Sequence, residues 1–433
     1  MVQNPDGLSR DLGADPISRD DSNRFIHAPS LGNRRRRPGT LLPGETLSHG
    51  RAIKARIQLF SSTLEGMSLS FECVPDTRRT SSERIAEIFR NPGFVNYFSD
   101  HMVVAEWNEG RGWHDSRIEN YEPIKMRPGS AVLHYGQEIF EGLKIYRHQD
   151  GSTWLFRPEM NARRMVKSAQ RLDLPVMSEE DFLASVYALG RVDREWVPTG
   201  DEMSYYVRPF MFADEEFLGV HSAARVTYAV IGGPAAPYFA DGMTPVDIWV
   251  TTTYSRAGEG GTGAAKCGGN YAASLLAQRE GAEQGCSQVL FADAATHEWV
   301  EELGGMNFFA VTSKGDLITP PTSGTILDGV TRDSILALAP SLGLTPDVRP
   351  ISLSELFAGI VEGDIREAFA CGTAAVVTPI GRLVHRVGQE IEMIPLESPL
   401  GEATRAIRTA LVDIQWGRSD DEYGWMHQVT EAQ

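Results

Sequence analysis

Four cysteines in 433 residues, with no CxxC spacing among them, leave neither a zinc knuckle nor a disulfide framework to organise the chain. Cys73, Cys267, Cys286 and Cys371 are scattered, and a reducing cytoplasm is the expected setting. Long apolar runs are missing as well. Nothing approaches the ~18 consecutive apolar residues of a membrane-spanning helix, so a soluble protein with no membrane partner is expected. Positive charge is in short supply, with 41 Lys and Arg against 58 Asp and Glu. The resulting net charge of −17 repels a phosphate backbone, so no nucleic-acid partner is expected. Neither GxxxxGK[ST] nor GxSxG nor HExxH occurs, and the nucleotide and zinc readings lose their usual support.

What is present suffices for two domains: the length exceeds one ordinary core, and 42% of the residues are hydrophobic. Residues 1–66 are rich in Ser, Pro, Gly, Asp and Arg, carry RRRR at 34–37 and show no apolar periodicity. They read as a disordered leader or a misplaced start, since Met67 opens a more ordinary sequence. A small N-terminal domain is expected over 67–233 and a larger one over 246–433. The proline-rich PAAPYFADGMTP, 234–245, would be the linker between them.

Periodicity predicts helices over 158–172, with Met160, Met165 and Ala169 near one face, and over 179–196. SYYVRPFMFA and ARVTYAVIGG read as strands, as does VDIWVTTTY at the start of the second half. A helix from about Tyr271 to Gln284 follows, then the hairpin QVLFADAATHEWVEEL, then GGMNFFAVTSKGDLITP with its Lys-Gly turn. A helix starts near Thr331, two strands flank a tight turn at Gly372 and Thr373, and a last helix lies in GEATRAIRTALVDIQWG. Without strict βαβ alternation the expected class is α+β, a mixture of helices with an open or barrel-like sheet.

GGTGAAKCGGNYAAS, 260–274, isolates Lys266 among glycines and small residues. An amine with few charges to solvate it loses its proton readily and attacks carbonyls, and the glycines let backbone approach a planar ligand. The alternative is an exposed loop lysine. A Schiff-base lysine most often serves pyridoxal 5'-phosphate, which demands an anion site, a carboxylate for its ring nitrogen and a polar partner for its phenolic oxygen. GVTRDS, with Gly329, Val330 and Thr331 before a helix, and CGTAA, with Gly372, Thr373 and Ala374, offer amide groups for the phosphate. Arg164, beside Arg163, is a candidate counter-cation, or else a solvated helix residue. Glu301 and Glu302 are consecutive on a strand, so they point to opposite faces and only one is expected to be buried; alternation does not say which. Tyr271 would serve the phenolic oxygen, or pack in the core.

Taken in order, HYGQEIFEGLKIYR, FRPEMNARRM, YYVRPFMF, GTGAAKCGGNYAASLLAQ, EELGGMNFF, GVTRDS and ACGTAAVVTP resemble the branched-chain-amino-acid aminotransferases, from about Phe94 to Trp425. That resemblance implies a fold-type IV pyridoxal-phosphate enzyme with a small N-terminal α/β domain, a larger C-terminal pseudo-barrel and a homodimeric assembly. It implies Lys266 as the lysine that carries the cofactor, Glu302 as partner of the ring nitrogen and Tyr271 as ligand of the phenolic oxygen. Arg164, Val330, Thr331 and Thr373 would hold the phosphate. Tyr135, Phe140, Tyr206, Arg208 and Tyr238 would line the substrate pocket, part of whose wall comes from the partner subunit in the family. Thr373 and Ala374 amides would take the substrate's α-carboxylate. Gly305 replaces a threonine of animal relatives, and Ala375 and Thr378 stand where animal mitochondrial members carry a CxxC pair, so the chain looks bacterial in type. The implied reaction moves the amino group of L-leucine, L-isoleucine or L-valine to 2-oxoglutarate, giving branched 2-oxo acids and L-glutamate. The nearest rivals are D-amino-acid aminotransferases and aminodeoxychorismate lyases. A cofactor-free Schiff-base lyase and a non-catalytic binding protein are the further alternatives.

Overall fold

The computed structural model describes residues 68–74, 79–237 and 243–429. The expected leader 1–66, Tyr238 and the middle of the expected linker lie outside the described residues.

Alternating apolar and polar runs build two nine-stranded sheets. The first runs, in spatial order, β1 (Glu72–Cys73), β3 (Gly112–Asn120), β2 (His101–Asn108), β8 (Arg225–Ala235), β7 (Ser204–Ala213), β5 (Leu143–Arg147), β6 (Thr153–Phe156) and β18 (Met426–Gln428). β4 (Glu138–Phe140) pairs with β7 off this path. Three helices belong to this half: α1 (Ser82–Phe89), the single turn α2 (Val132–Tyr135) and α3 (Pro158–Arg171); a fourth, α4 (Glu179–Val192), packs beside α3. On α3, Ala162, Met165 and Ala169 fall one turn apart and are buried, whereas Met160 is half-buried and packs against a different cluster. α4 opens with Ser178 accepting the Asp181 N–H and three acids in its first turn, a complete N-terminal signal. It stops at Val192, earlier than periodicity predicts, because Asp193 turns inward to His101 at 2.5 Å and a 3-10 turn follows.

The second sheet runs β11 (Val300–Leu303), β10 (Gln288–Ala292), β9 (Val246–Thr251), β16 (Val376–Val387), β15 (Ile365–Gly372), β12 (Asn307–Thr312), β13 (Asp316–Thr319) and β14 (Thr345–Val348), with β17 (Glu390–Pro395) on β16. β11 also pairs with β12, Glu302 opposite Asn307, so the sheet closes on itself as a barrel. Around it lie α5 (Gly268–Glu283), α6 (Val330–Leu338), α7 (Leu353–Glu362) and α8 (Glu402–Gln415). α5 begins three residues before its expected start, because the Glu138 carboxylate of β4 accepts the Gly268 N–H and so satisfies one of the donors that a helix start leaves open.

The fold is α+β in two sheet-built domains, each with its own apolar cluster. A third cluster joins them: Tyr146 and Phe156 of the first sheet pack with Phe309, Phe369, Leu411 and Trp416 of the second half. β18 returns to the first sheet, Met426 opposite Phe156, and ties the seam at its end. The loops that carry the chemistry open at this seam.

Candidate active site

A cavity of about 370 Å³ opens between the β4–β5 segment and β7 on one side and the barrel on the other. Lys266 reaches it from the loop before α5. That loop is fixed through its backbone: the Lys266 N–H donates to Ser168 Oγ at 3.0 Å, and the Lys266 carbonyl accepts from the Phe140 N–H at 2.9 Å. Gly263 earns its place by close approach, since a Cβ there would lie 2.4 Å from the Thr325 carbonyl oxygen. Lys266 is half-buried rather than exposed, which removes the solvated-loop alternative. Its Nζ donates to Tyr271 Oη at 2.7 Å and lies 4.9 Å from the centre of the Phe140 ring.

Across the cavity, strand β11 of the barrel carries two consecutive acids. Both Glu301 and Glu302 are buried, at 6% and 3% exposure, against the expectation that only one would be. Every residue of β11 is buried because barrel and covering loops enclose both of its faces. Only Glu302 lines the cavity. Its Oε1 meets Arg256 Nη2 at 2.6 Å and accepts the Leu327 N–H, while Oε2 accepts from Asn307 Nδ2 at 3.0 Å. Burial is the largest influence on this carboxyl and raises its pKa, against Arg256, the Leu327 N–H and Lys266.

Arg164 departs from its helix-surface alternative: it is 6% exposed, whereas Arg163 beside it reaches outward to Glu179. Its Nε and Nη2 fork onto Glu141 at 2.7 and 2.8 Å, and Nη1 donates to the Asp328 carbonyl. Burial opposes ionisation of Glu141, but Arg164, Lys266 and Asn161 outweigh it and hold its carboxyl below the usual range. With three of five N–H groups engaged, the guanidinium keeps two for the cavity. Val330 and Thr331 form the first turn of α6, whose cap residue Gly329 supplies no side-chain hydrogen bond. A Cβ at Gly329 would fall 1.9 Å from Asn307 Oδ1, so glycine is required there.

At the other end, Arg208 Nη2 donates to Tyr206 Oη at 3.2 Å, and the guanidinium lies 4.7 Å from the Phe140 ring centre. Arg208 Nε is buried with no partner among the described residues. Gly142 makes room for the phenol, since a Cβ there would stand 2.2 Å from Tyr206 Oη. Thr373 and Ala374, in the turn between β15 and β16, complete the lining. The chain thus brings Phe140, Arg164, Tyr206, Arg208, Lys266, Tyr271, Glu302, Val330, Thr331, Thr373 and Ala374 around one space. Tyr135 is not among them. It is 40% exposed, donates to the Leu218 carbonyl and stacks on Phe217 in a separate hollow.

Sequence reasoning passed over Arg256, Glu141 and Asn307. Asn307 and Glu141 stood inside quoted motifs, GGMN and FEG, without a role. Arg256 lay ten positions before Lys266 in an irregular loop that carries no periodic signal.

Among known proteins, the family model for amino-transferase class IV matches residues 138–383. A probable branched-chain-amino-acid aminotransferase of Streptomyces coelicolor is 47% identical over 83% of this chain and 98% of its own. The crystal structure of the Escherichia coli branched-chain amino acid aminotransferase superposes with a TM-score of 0.62, at 28% identity, over 75% of this chain and 99% of its own. That of Thermoproteus uzoniensis with norvaline does so with a TM-score of 0.62, at 25% identity, over 76% and 100%. These relatives do not favour the D-amino-acid aminotransferase and lyase alternatives. Cavity, lysine, buried acid and relatives agree, and the chain belongs to the branched-chain-amino-acid aminotransferases of the class IV amino-transferase family.

Proposed function

We propose that this transaminase, acting on branched-chain L-amino acids and 2-oxoglutarate, works through Lys266, and that the remaining cavity residues divide into cofactor-holding and substrate-selecting sets. The observation that carries the reading is the Lys266 amine, hydrogen-bonded to Tyr271 and sharing a cavity with the buried Glu302 carboxylate. Pyridoxal phosphate, when bound, supplies an aldehyde that takes up the amino group and a ring that accepts electron density from the substrate's Cα. The donor set fits it: an amine, a phenol, a buried carboxylate and a helix start beside a buried guanidinium.

Lys266 Nζ would hold the cofactor and, once displaced by substrate, take the proton from the substrate's Cα as general base. Glu302, neutralised by Arg256, would keep the ring nitrogen protonated, and Tyr271 would serve the phenolic oxygen. Arg164, the N–H groups of Val330 and Thr331, and Thr373 would bind the phosphate. Borohydride reduction of the cofactor-loaded protein followed by peptide mapping is expected to place the label on Lys266. Label on any other lysine would sink the assignment.

Phe140, Tyr206 and Arg208 would form a pocket that buries an alkyl chain yet offers one cation to the γ-carboxylate of glutamate. Arg208→Ala is therefore expected to raise KM for glutamate and 2-oxoglutarate by roughly 10–100-fold, the worth of a charged hydrogen bond, with a much smaller change for leucine. Steady-state kinetics with both substrate classes measure it, and equal losses would remove Arg208 from this role. Both half-reactions use one site, so ping-pong kinetics are required.

We further propose a cytoplasmic homodimer in which a second copy completes the pocket. Leu133, Tyr135, Leu218 and Val220 are exposed at 57%, 40%, 72% and 84%, an apolar surface next to the hollow where Tyr135 lies. Among the described residues no helix is long and apolar enough to cross a membrane.

A further inference from the structure

Lys144 has no part in the roles above. It lies on β5 opposite Tyr206 of β7, is only 5% exposed, and its Nζ donates to the Ala374 carbonyl at 2.9 Å. Taking an ammonium out of water is costly unless something compensates it. Its charged neighbours are Glu202, in the turn before β7, and Arg408 of α8, and these two already pair with each other. Burial is the largest influence and pulls the Lys144 pKa down to about 7, Glu202 opposing and Arg408 adding to the fall.

The turn it reaches is itself strained. Gly372 and Val376 close the β15–β16 hairpin as a register pair, and Val376 adopts a φ of +61°. Hairpins with such short loops normally reserve that left-handed position for glycine, and a β-branched residue is an outlier there. Strained backbone persists only where its surroundings hold it. Among the described residues neither the Thr373 nor the Ala374 N–H goes to a backbone carbonyl. A trans peptide points its N–H opposite to its C=O. A hydrogen bond on the Ala374 carbonyl therefore sets which way the Ala375 N–H faces and opposes a peptide flip.

We propose that Lys144 is a positioning residue for amino- and oxo-acid binding: its ammonium, bonded to the Ala374 carbonyl, holds the 372–376 turn in the shape that receives the substrate's α-carboxylate. This rests on the reading that Thr373 and Ala374 take that carboxylate. The ammonium also adds a positive charge behind the turn, which favours an anion in front of it.

The test is a spectral titration of the holoenzyme with L-leucine and with 3-methylbutan-1-amine, which has the same side chain and amine but no carboxylate. The native protein should prefer leucine strongly. Lys144→Met should weaken leucine and 2-oxoglutarate by roughly 10–100-fold, the loss of one charged hydrogen bond. It should leave the amine, the cofactor's retention on dialysis and kcat at saturation within a few fold of native, and Lys144→Arg should recover most of the affinity. Affinity of the native protein for 4-methylpentanoate, which does not titrate in this range, should fall as pH rises above about 7 and Lys144 loses its charge. In the Met variant it should stay flat. A Met variant that keeps the native preference for leucine over the amine, or that loses both alike, overturns the proposal. A native protein with no such preference overturns the carboxylate reading beneath it. Should the Met variant not fold, Lys144→Gln, which keeps a donor without the charge, goes through the same titrations and the pH series on the native protein still decides.

Discussion

Lys266→Ala is expected to abolish transamination while leaving the fold intact. The contacts Lys266 itself makes with Ser168 and with the Phe140 backbone use its N–H and carbonyl, which alanine retains, so the melting temperature should stay near native. What disappears is one amine, and with it both the tether for the cofactor and the base that moves the Cα proton. A positioned general base alone contributes about 10²–10⁴-fold, and loss of the covalent tether adds to that. Turnover of L-leucine with 2-oxoglutarate, followed in single- and multiple-turnover assays, is the measurement. A variant with normal stability and substantial turnover would contradict the central assignment, because among the described residues Lys266 is the only lysine on the cavity wall.

Arg256→Met should produce the largest loss of stability. Arg256 is 5% exposed, meets Glu302 at 2.6 Å, and its Nη2 also donates to the carbonyls of Gly263 and Thr325. It therefore holds together the Lys266 loop, the segment before α6 and the acid on β11. Removing one partner of a buried ion pair leaves the other uncompensated, at a cost of about 3–5 kcal/mol. Burial already raises the Glu302 carboxyl, and without Arg256 it should go further up and protonate. A neutral acid cannot support a protonated ring nitrogen, so activity should fall as well. Denaturation of the apo and cofactor-loaded forms, together with kcat, separates the two effects. The double variant Arg256→Met with Glu302→Gln should recover part of the stability, since no lone charge remains, yet recover no activity. A single variant as stable as the native protein would show that the pair contributes nothing to the fold.

Much of the site was legible because its chemistry is written in contiguous stretches. A helix start with open N–H groups, a glycine-flanked lysine and a strand carrying two acids each have a local signature, and their order along the chain carried the resemblance. Local signatures also located most elements. α7 carries local signals too, Ser352 as its N-cap and Gly363 at φ +80° as its stop, but it is not among the expected helices. The errors came where an element end is set from elsewhere: Glu138 advances α5 by satisfying Gly268, and Asp193 stops α4 by turning to His101.

Glu301 shows the limit most directly. Alternation along a strand says that neighbours face opposite ways, and so they do, but it cannot say whether both sides are covered. In the folded barrel all four residues of β11 are buried, so both sides are covered. Arg256 and Lys144 have no local signature at all, because what matters about each is a partner 46 or 230 positions away, Glu302 or Ala374, respectively. By itself the sequence determined the transaminase reaction and the α+β class, and it singled out Lys266, since each depends on residue types in a short fixed order. Which buried cation pairs with Glu302, which amine bonds the Ala374 carbonyl, and where Tyr135 ends up were decided only by the tertiary structure. Those outcomes depend on distances between segments that meet when two sheets pack, and no local propensity encodes such a distance.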